Sequence, residues 1–457
     1  MKLKLRPYQK EIVVKVFASL MRGHRRPCVV APTGAGKTAV MAYMAGKAQD
    51  NSQTVWFLVH RRELKEQTIE TFKKFEIPMK TIKVGLINTV SNKIKRGEVL
   101  EAPDLIVLDE AHHAVAKTWR RVVKAYPKAF VIGLTATPAR LDGKPLGEIF
   151  DDLVIAPDTS QLIRDGYLSP YRMFVSELDL GHLSMRAGDF KQEEVEQQFI
   201  KNQVSGDVVK SYKEHAEGRQ GIYFCTTRNY SRKMAAEFNK AGIKAQHFDG
   251  NTPKRKREQI VRDFRNGKIQ ILTNVDLIGE GFDMPNVDVI GMLRPTASLT
   301  IYLQQVGRAL RPKPNKVALL IDHVGNIRHH GLPSTKRTWS LDEKVKSEPV
   351  YSDDGMLTVR QCPRCYCAYR AELGSCPFCG AEYHSTRQEI ENVKEIKMIE
   401  LKEESMRQER KRLEAWAWTD EALEDAETVS DLYTIADLRG YKPGWAWYQA
   451  RKRGWLR

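Results

Sequence analysis

The chain has 457 residues, of which 42% are hydrophobic and 29% charged, and a formal net charge of +17. That length exceeds what one hydrophobic core usually serves, so two large domains with small additions are expected. No run of about 18 apolar residues occurs, which excludes a long apolar spanning helix, and the charged start "MKLKLRPYQKEI" lacks a signal-peptide core, so a cytoplasmic protein without membrane contact is expected.

In chain order, "PCVVAP", "TVWFLVH", "DLIVLDE" and "FVIGLTATP" are apolar runs with little polar alternation, as in strands buried on both faces of a parallel sheet. Helical patterns rich in Lys and Arg separate them. The pattern recurs after "DGYLSP" with "QGIYFCTT", "KAQHFDG", "IQILTNV", "VDVIGML" and "KVALLID". The expected architecture is therefore α/β, with two tandem parallel-sheet domains at 1–168 and 169–335. A polar linker is expected at 336–357, a cysteine-rich module at 358–384 and a charged helix over 385–425, opened by a Thr386/Glu389 capping box. A basic, aromatic helical hairpin closes the chain at 426–457, turning at Gly440, Pro443 and Gly444. The excess positive charge favours polyanions, nucleic acid foremost.

"APTGAGKT", residues 31–38, follows a strand and opens a helix, the setting of a phosphate-binding P-loop, with Ala31 in place of the usual first glycine. Thr33, Gly34, Ala35 and Gly36 form the loop that wraps phosphate oxygens. Lys37 reaches the β- and γ-phosphates, and Thr38 offers its hydroxyl to Mg²⁺. Asp109 and Glu110 close a buried strand, where adjacent carboxylates are costly without a purpose. Asp109 suits Mg²⁺ through water, and Glu110 suits polarising an attacking water. His112 either links this site to a neighbouring domain or is a satisfied structural histidine. In "QQVGRALR", Arg308 and Arg311 are three apart, which on a helix puts both on one face. Two such cations form either a solvated basic face or a pair aimed at an anion from elsewhere.

Cys362-x2-Cys365, ten residues, then Cys376-x2-Cys379 is the spacing of two knuckles that hold Zn²⁺ through four thiolates, with an iron–sulfur cluster as the alternative. Cys367 is surplus, and Cys28 and Cys225 are expected in the core. Arg364, Tyr366, Tyr369, Arg370 and Phe378 either contact nucleic acid or form the thin core of the ribbon. In the tail, Trp445, Trp447, Tyr448 and Trp455 interleave with Lys442, Arg451, Lys452, Arg453 and Arg457. That pattern suits DNA, a protein partner or an internal helical core.

Arg6–Pro7–Tyr8–Gln9, the P-loop, "HRREL", Asp-Glu-Ala-His at 109–112, "TAT" at 135–137, "TNVDLIGEGFDMP" and "QQVGRALR" stand in one order. In that order the chain resembles superfamily 2 helicases and translocases of the DEAD/DEAH class, over residues 1 to about 330. The wording "LTATPARLDG" and the cysteine-rich segment resemble the bacterial and phage RadD-type repair helicases. The resemblance implies RecA-like domains facing each other across ATP, with Arg308 and Arg311 as arginine fingers and Gln304 placing the attacking water. It implies Gly281 and Asp283 near the γ-phosphate and ribose, and Arg6 with Gln9 reading adenine. It implies backbone contacts to nucleic acid from Arg61, Arg62, Thr89, Thr226 and Thr273, with "TPKRKRE" at 252–258 as further cations. The expected function is an ATP-dependent DNA motor of repair or recombination, with an RNA helicase or a non-unwinding DNA clamp as alternatives. ATP, Mg²⁺ and Zn²⁺ are the expected cofactors, and the C-terminal region is a possible protein-binding site.

Overall fold

The computed structural model describes residues 3–113, 117–138, 146–175, 185–186, 189–190, 204–275 and 287–342, most of 359–381 and short stretches between 419 and 453. The chain divides into two units, Met1–Glu382 and Tyr383–Arg457.

The first unit holds two six-stranded sheets. Strands β1 (Pro27–Val30), β2 (Val55–Val59), β3 (Ile82–Leu86), β4 (Leu105–Leu108), β5 (Phe130–Thr135) and β6 (Asp152–Ile155) form the first, in the order β3-β2-β4-β5-β1-β6. All its pairings are parallel. Strands β1, β2 and β4 are buried at every position, as their unbroken apolar runs require. β3 and β6 are the edges. They carry polar or half-exposed residues, and for that reason they were not among the expected strands.

β7 (Tyr171–Val175) starts the second lobe, and the pair β8 (Met185–Arg186) and β9 (Asp189–Phe190) follows as a minor hairpin. Strands β10 (Gly221–Cys225), β11 (Ala245–Phe248), β12 (Ile271–Asn274), β13 (Val289–Leu293) and β14 (Ala318–Asp322) then complete the sheet β11-β12-β10-β13-β14-β7, again parallel throughout. Two tandem RecA-like α/β lobes result. Leu168, Val306 and Leu310 join their cores into one contiguous apolar cluster. Burial of one such leucine contributes on the order of 2 kcal/mol.

In each lobe the loops that matter leave the carboxyl ends of neighbouring strands, where α/β sheets bind their ligands. In the first, the P-loop follows β1, Asp109 and Glu110 follow β4, and Thr137 follows β5. Side-chain caps from Thr227 and Ser298 start the helices Arg228–Lys240 and Leu299–Gly307 beside the matching edge of the second.

The cysteine module, with β15 (Val359–Gln361) antiparallel to β16 (Ala368–Arg370), covers the exposed edge of the second sheet. Cys367 pairs with Phe174 of β7 through an antiparallel bridge, and Arg172 Nε donates to Cys367 Sγ at 3.1 Å. Arg370 donates to the Ser334 carbonyl at 3.1 Å. The surplus cysteine is thus a packing residue, and it protects an edge strand that would otherwise invite pairing.

The second unit has its own small core, in which Ala422, Ala426, Leu432, Ile435, Ala436, Ala446 and Ala450 meet the half-buried Trp445. Arg453 ties its helix Gly444–Lys452 to the Ala426 carbonyl at 3.0 Å. Tyr448 points outward, while Trp455 and Arg457 and almost all of the expected 385–425 helix lie outside the described residues. Among the described residues no helix is long and apolar enough to cross a membrane.

Candidate active site

Gly36 sits at φ +75° and N-caps the helix Lys37–Asp50, so the N–H groups of its first turn point into the loop. A side chain there would strike Gln9 Nε2 at 2.7 Å. Gln9 accepts from the Arg6 N–H (3.0 Å) and donates to the Ala35 carbonyl (3.2 Å), so a single amide ties the start of the first helix to the P-loop. Tyr8 supports the same carbonyl through its hydroxyl at 2.6 Å. Gln9 is therefore buried on the P-loop. Arg6 lies exposed over the Tyr167 ring, 5.5 Å from its centroid, and Tyr167 packs 4.7 Å from Tyr8.

Lys37 Nζ donates to the Ala31 carbonyl at 3.2 Å. Burial lowers its pKa, the carboxylates of Glu110 and Asp109 oppose that shift, and Arg308 and Arg311 reinforce it. Five charged groups from three stretches of the sequence thus share one electrostatic pocket. The three cations repel one another across it, and a triphosphate relieves that repulsion. Asp109 is raised well above the usual carboxylate range by burial and then by Glu110, against the pull of Lys37 and His60. The buried Asp109 beside the half-buried Glu110 fits a divalent cation, which Asp109, through water, and Thr38 would hold.

Glu110 has φ +52°, rare for a residue with a side chain. This turn brings its carboxylate Oε2 within 3.4 Å of His112 Nδ1, which also lies 3.2 Å from Thr135 Oγ1. The Thr135 hydroxyl donates to the Thr137 carbonyl at 2.6 Å, so its oxygen must accept from His112, and His112 carries its proton on Nδ1. The Thr137 hydroxyl then shares a 2.6 Å hydrogen bond with the Thr300 hydroxyl of the second lobe. A polar relay thus runs from Glu110 to the helix Leu299–Gly307, which carries the buried Gln304 one turn beyond Thr300.

That helix ends at Gly307. Arg308 is its C-cap, but Arg311 lies past it in a loop, so the helical spacing expected for the two arginines is not what brings them together. Gly307 allows the approach itself: a Cβ there would lie 2.4 Å from Thr33 Cβ of the P-loop. Arg257 of the "TPKRKRE" segment reaches Glu63 at 3.7 Å, another contact between the lobes.

Of the positions expected to meet nucleic acid, Arg62 and Thr89 are exposed and Arg61 is half-buried at the start of the helix Arg62–Lys74. Thr226 is buried at the carboxyl end of β10, with no hydrogen-bond partner for its hydroxyl among the described residues. Thr273 is fully buried and its hydroxyl donates to the Ser231 carbonyl at 2.8 Å, so it faces the core and not a bound strand. Gly281 and Asp283 lie outside the described residues.

Thr300, Tyr167 and His60 also belong to the site, though no motif in the sequence marks them. Thr300 was findable, since Thr300, Gln304 and Arg308 are spaced by four.

The four thiol sulfurs of Cys362, Cys365, Cys376 and Cys379 all lie within 4.8 Å of one another. The pairs Cys362–Cys379 and Cys365–Cys376 are 3.6 Å apart. Tetrahedral zinc with bonds of about 2.3 Å needs sulfur separations of about 3.8 Å, so the residues fit that ion. Burial opposes ionisation of Cys362, but the backbone N–H groups of Cys365 and Arg364 outweigh it and lower the pKa. Tyr369 is buried against Cys362 and Cys376, which makes it part of the ribbon core.

Comparison with known proteins agrees with this geometry. Two family models match: the res subunit of type III restriction enzymes over residues 2–140, and the helicase conserved C-terminal domain over residues 200–313. A 51.5 kDa protein of a Lactococcus phage is 34% identical over 356 residues, 78% of either chain. The putative mitochondrial ATP-dependent helicase irc3 of Schizosaccharomyces pombe is 30% identical over 357 residues, and the match spans 72% of this chain but 59% of that one. A fragment of a putative HsdR subunit of a type I restriction enzyme from Vibrio vulnificus shares the fold, with a TM-score of 0.57 at 21% identity over 71% of this chain and 65% of that chain. The chain belongs to the superfamily 2 helicases of the DEAD/DEAH class, nucleic-acid-dependent ATPases.

Proposed function

We propose that the protein is an ATP-dependent DNA translocase or helicase of repair or recombination, of the RadD-like type, working in a bacterial or phage-infected cytoplasm. The observation that carries this is the relay from Glu110 through His112, Thr135 and Thr137 to Thr300, which joins the hydrolytic carboxylate to the opposite lobe. The +17 charge supports a nucleic-acid partner in general, and a first lobe matching the res subunit of type III restriction enzymes supports DNA over RNA.

In this reading Lys37 and the P-loop N–H groups bind the phosphates, and Arg6 with Tyr167 flanks the base. Glu110 accepts a proton from the attacking water, which Gln304 helps to place. Arg308 and Arg311 stabilise the charge that grows as the phosphoryl bond breaks. Thr38 and, through water, Asp109 would hold magnesium, which would supply neutralising charge at the phosphates. Arg61, Arg62, Thr89 and Thr226 line the strand-binding side, where backbone contacts position without reading sequence.

Strand displacement on forked DNA and forked RNA tests the assignment. ATP-dependent displacement on DNA, weaker on RNA, is expected. Displacement on RNA alone would overturn it, as would hydrolysis that displaces neither a fork strand nor a triplex-forming strand on duplex DNA, which would mark an ATP-driven clamp.

Zinc in the ribbon is part of the same proposal. Purified protein should contain one zinc per chain, without iron–sulfur absorbance. Cys367→Ser should keep the metal, while Cys376→Ser should lose it and unfold the ribbon, because so small a core depends on its ion. A metal-free wild-type protein would contradict this.

A further inference from the structure

Arg311 stands past the end of its helix, so helical hydrogen bonding does not fix its direction. Its carbonyl oxygen instead accepts two side-chain hydrogen bonds, from Ser169 Oγ at 3.1 Å and from Lys316 Nζ at 3.1 Å. Ser169 belongs to the connection between the lobes and is buried; its own N–H donates to the Leu310 carbonyl at 2.8 Å. The preceding residue, Leu168, packs 3.1 Å from where a side chain on Gly34 would stand. The connection therefore touches the P-loop and the Arg311 loop with consecutive residues.

The Lys316 side chain is only 4% exposed. Its ammonium donates also to the Val287 carbonyl at 2.7 Å, and Asp288 lies 3.9 Å away, itself bonded by Lys313 at 3.1 Å. Burying an ammonium is expensive even when its donors are satisfied. Burial pushes Lys316 down to about 8, with Asp288 opposing and Lys313 and Arg311 adding to the shift. What that cost secures is the backbone on either side of the loop that carries Arg311.

We propose that Ser169 and Lys316 are positioning residues for Arg311, gripping its carbonyl from the interlobe connection and from the far arm of its own loop so that the guanidinium points at the phosphate site. This rests on the reading of Arg311 as an arginine finger.

Steady-state ATP turnover at saturating single-stranded DNA tests it, using Ser169→Ala, Ser169→Thr, Lys316→Met, Arg311→Ala and the double variant Arg311→Ala/Lys316→Met. Ser169→Ala and Lys316→Met should each lower kcat roughly tenfold and leave KM for ATP within about twofold. Ser169→Thr, which keeps the hydroxyl, should restore kcat. The double variant should be no slower than Arg311→Ala, because Lys316 acts only through Arg311. If Lys316→Met fails to fold, the Ser169 pair decides. Normal kcat in Ser169→Ala beside a slow Arg311→Ala would overturn the positioning role and leave the finger standing. Near-normal turnover in Arg311→Ala would remove the finger, and the grip with it.

Discussion

Glu110→Gln should bind ATP as the wild type does and hydrolyse it about 10²- to 10⁴-fold more slowly, the range for losing a general base. The carboxamide keeps the shape of the side chain and so preserves the left-handed turn at φ +52° and the 3.4 Å approach to His112. It cannot take a proton from water. Lys37→Ala should fail earlier, at nucleotide binding, because it removes the cation whose burial depends on compensation by Asp109 and Glu110. Nucleotide affinity measured beside single-turnover hydrolysis separates the two defects. Ordinary turnover in Glu110→Gln would remove that residue from the chemistry.

Arg308→Ala should lower turnover on the order of 10³-fold while changing ATP affinity little, the signature of a group that acts mainly in the transition state. The residue is buried, caps the helix that Thr300 helps to anchor, and shares the electrostatic field of Lys37 across the cleft. A cation kept there only for surface solvation would be exposed, and its loss would leave kcat intact. Arg308→Lys separates charge from geometry: a lysine restores the charge but not the planar fork, so recovery should be small.

Much of this site is legible in sequence because its parts are local. The P-loop, Asp109–Glu110 and the CxxC pairs each need particular residue types at short, fixed spacings, and buried parallel strands such as β2 and β4 announce themselves as unbroken apolar runs. The edges β3, β6 and β7 do not, since one flank of each lacks a partner strand and polar residues are tolerated there. Long-range geometry was equally hidden. The helical spacing of Arg308 and Arg311 suggests a shared face, whereas the helix ends at Gly307, Arg308 caps it and a loop carries Arg311. Thr273 looked like a phosphate contact, yet its hydroxyl is satisfied by the Ser231 carbonyl. Cys367 looked surplus to the metal site, and its bond to Arg172 holds the ribbon on β7. In each case the deciding partner lies far away in sequence.

Nucleic acid bound by both lobes should accelerate hydrolysis between them through the Thr137–Thr300 contact. The most direct test is steady-state ATP turnover with and without single-stranded DNA, in the wild-type chain and in Thr300→Val, which keeps the side-chain shape and removes the hydroxyl. DNA should stimulate the wild type at least about tenfold, and Thr300→Val should lose most of that stimulation while its DNA-free rate stays within about twofold. Turnover indifferent to DNA in the wild type, or full stimulation in Thr300→Val, would contradict the account.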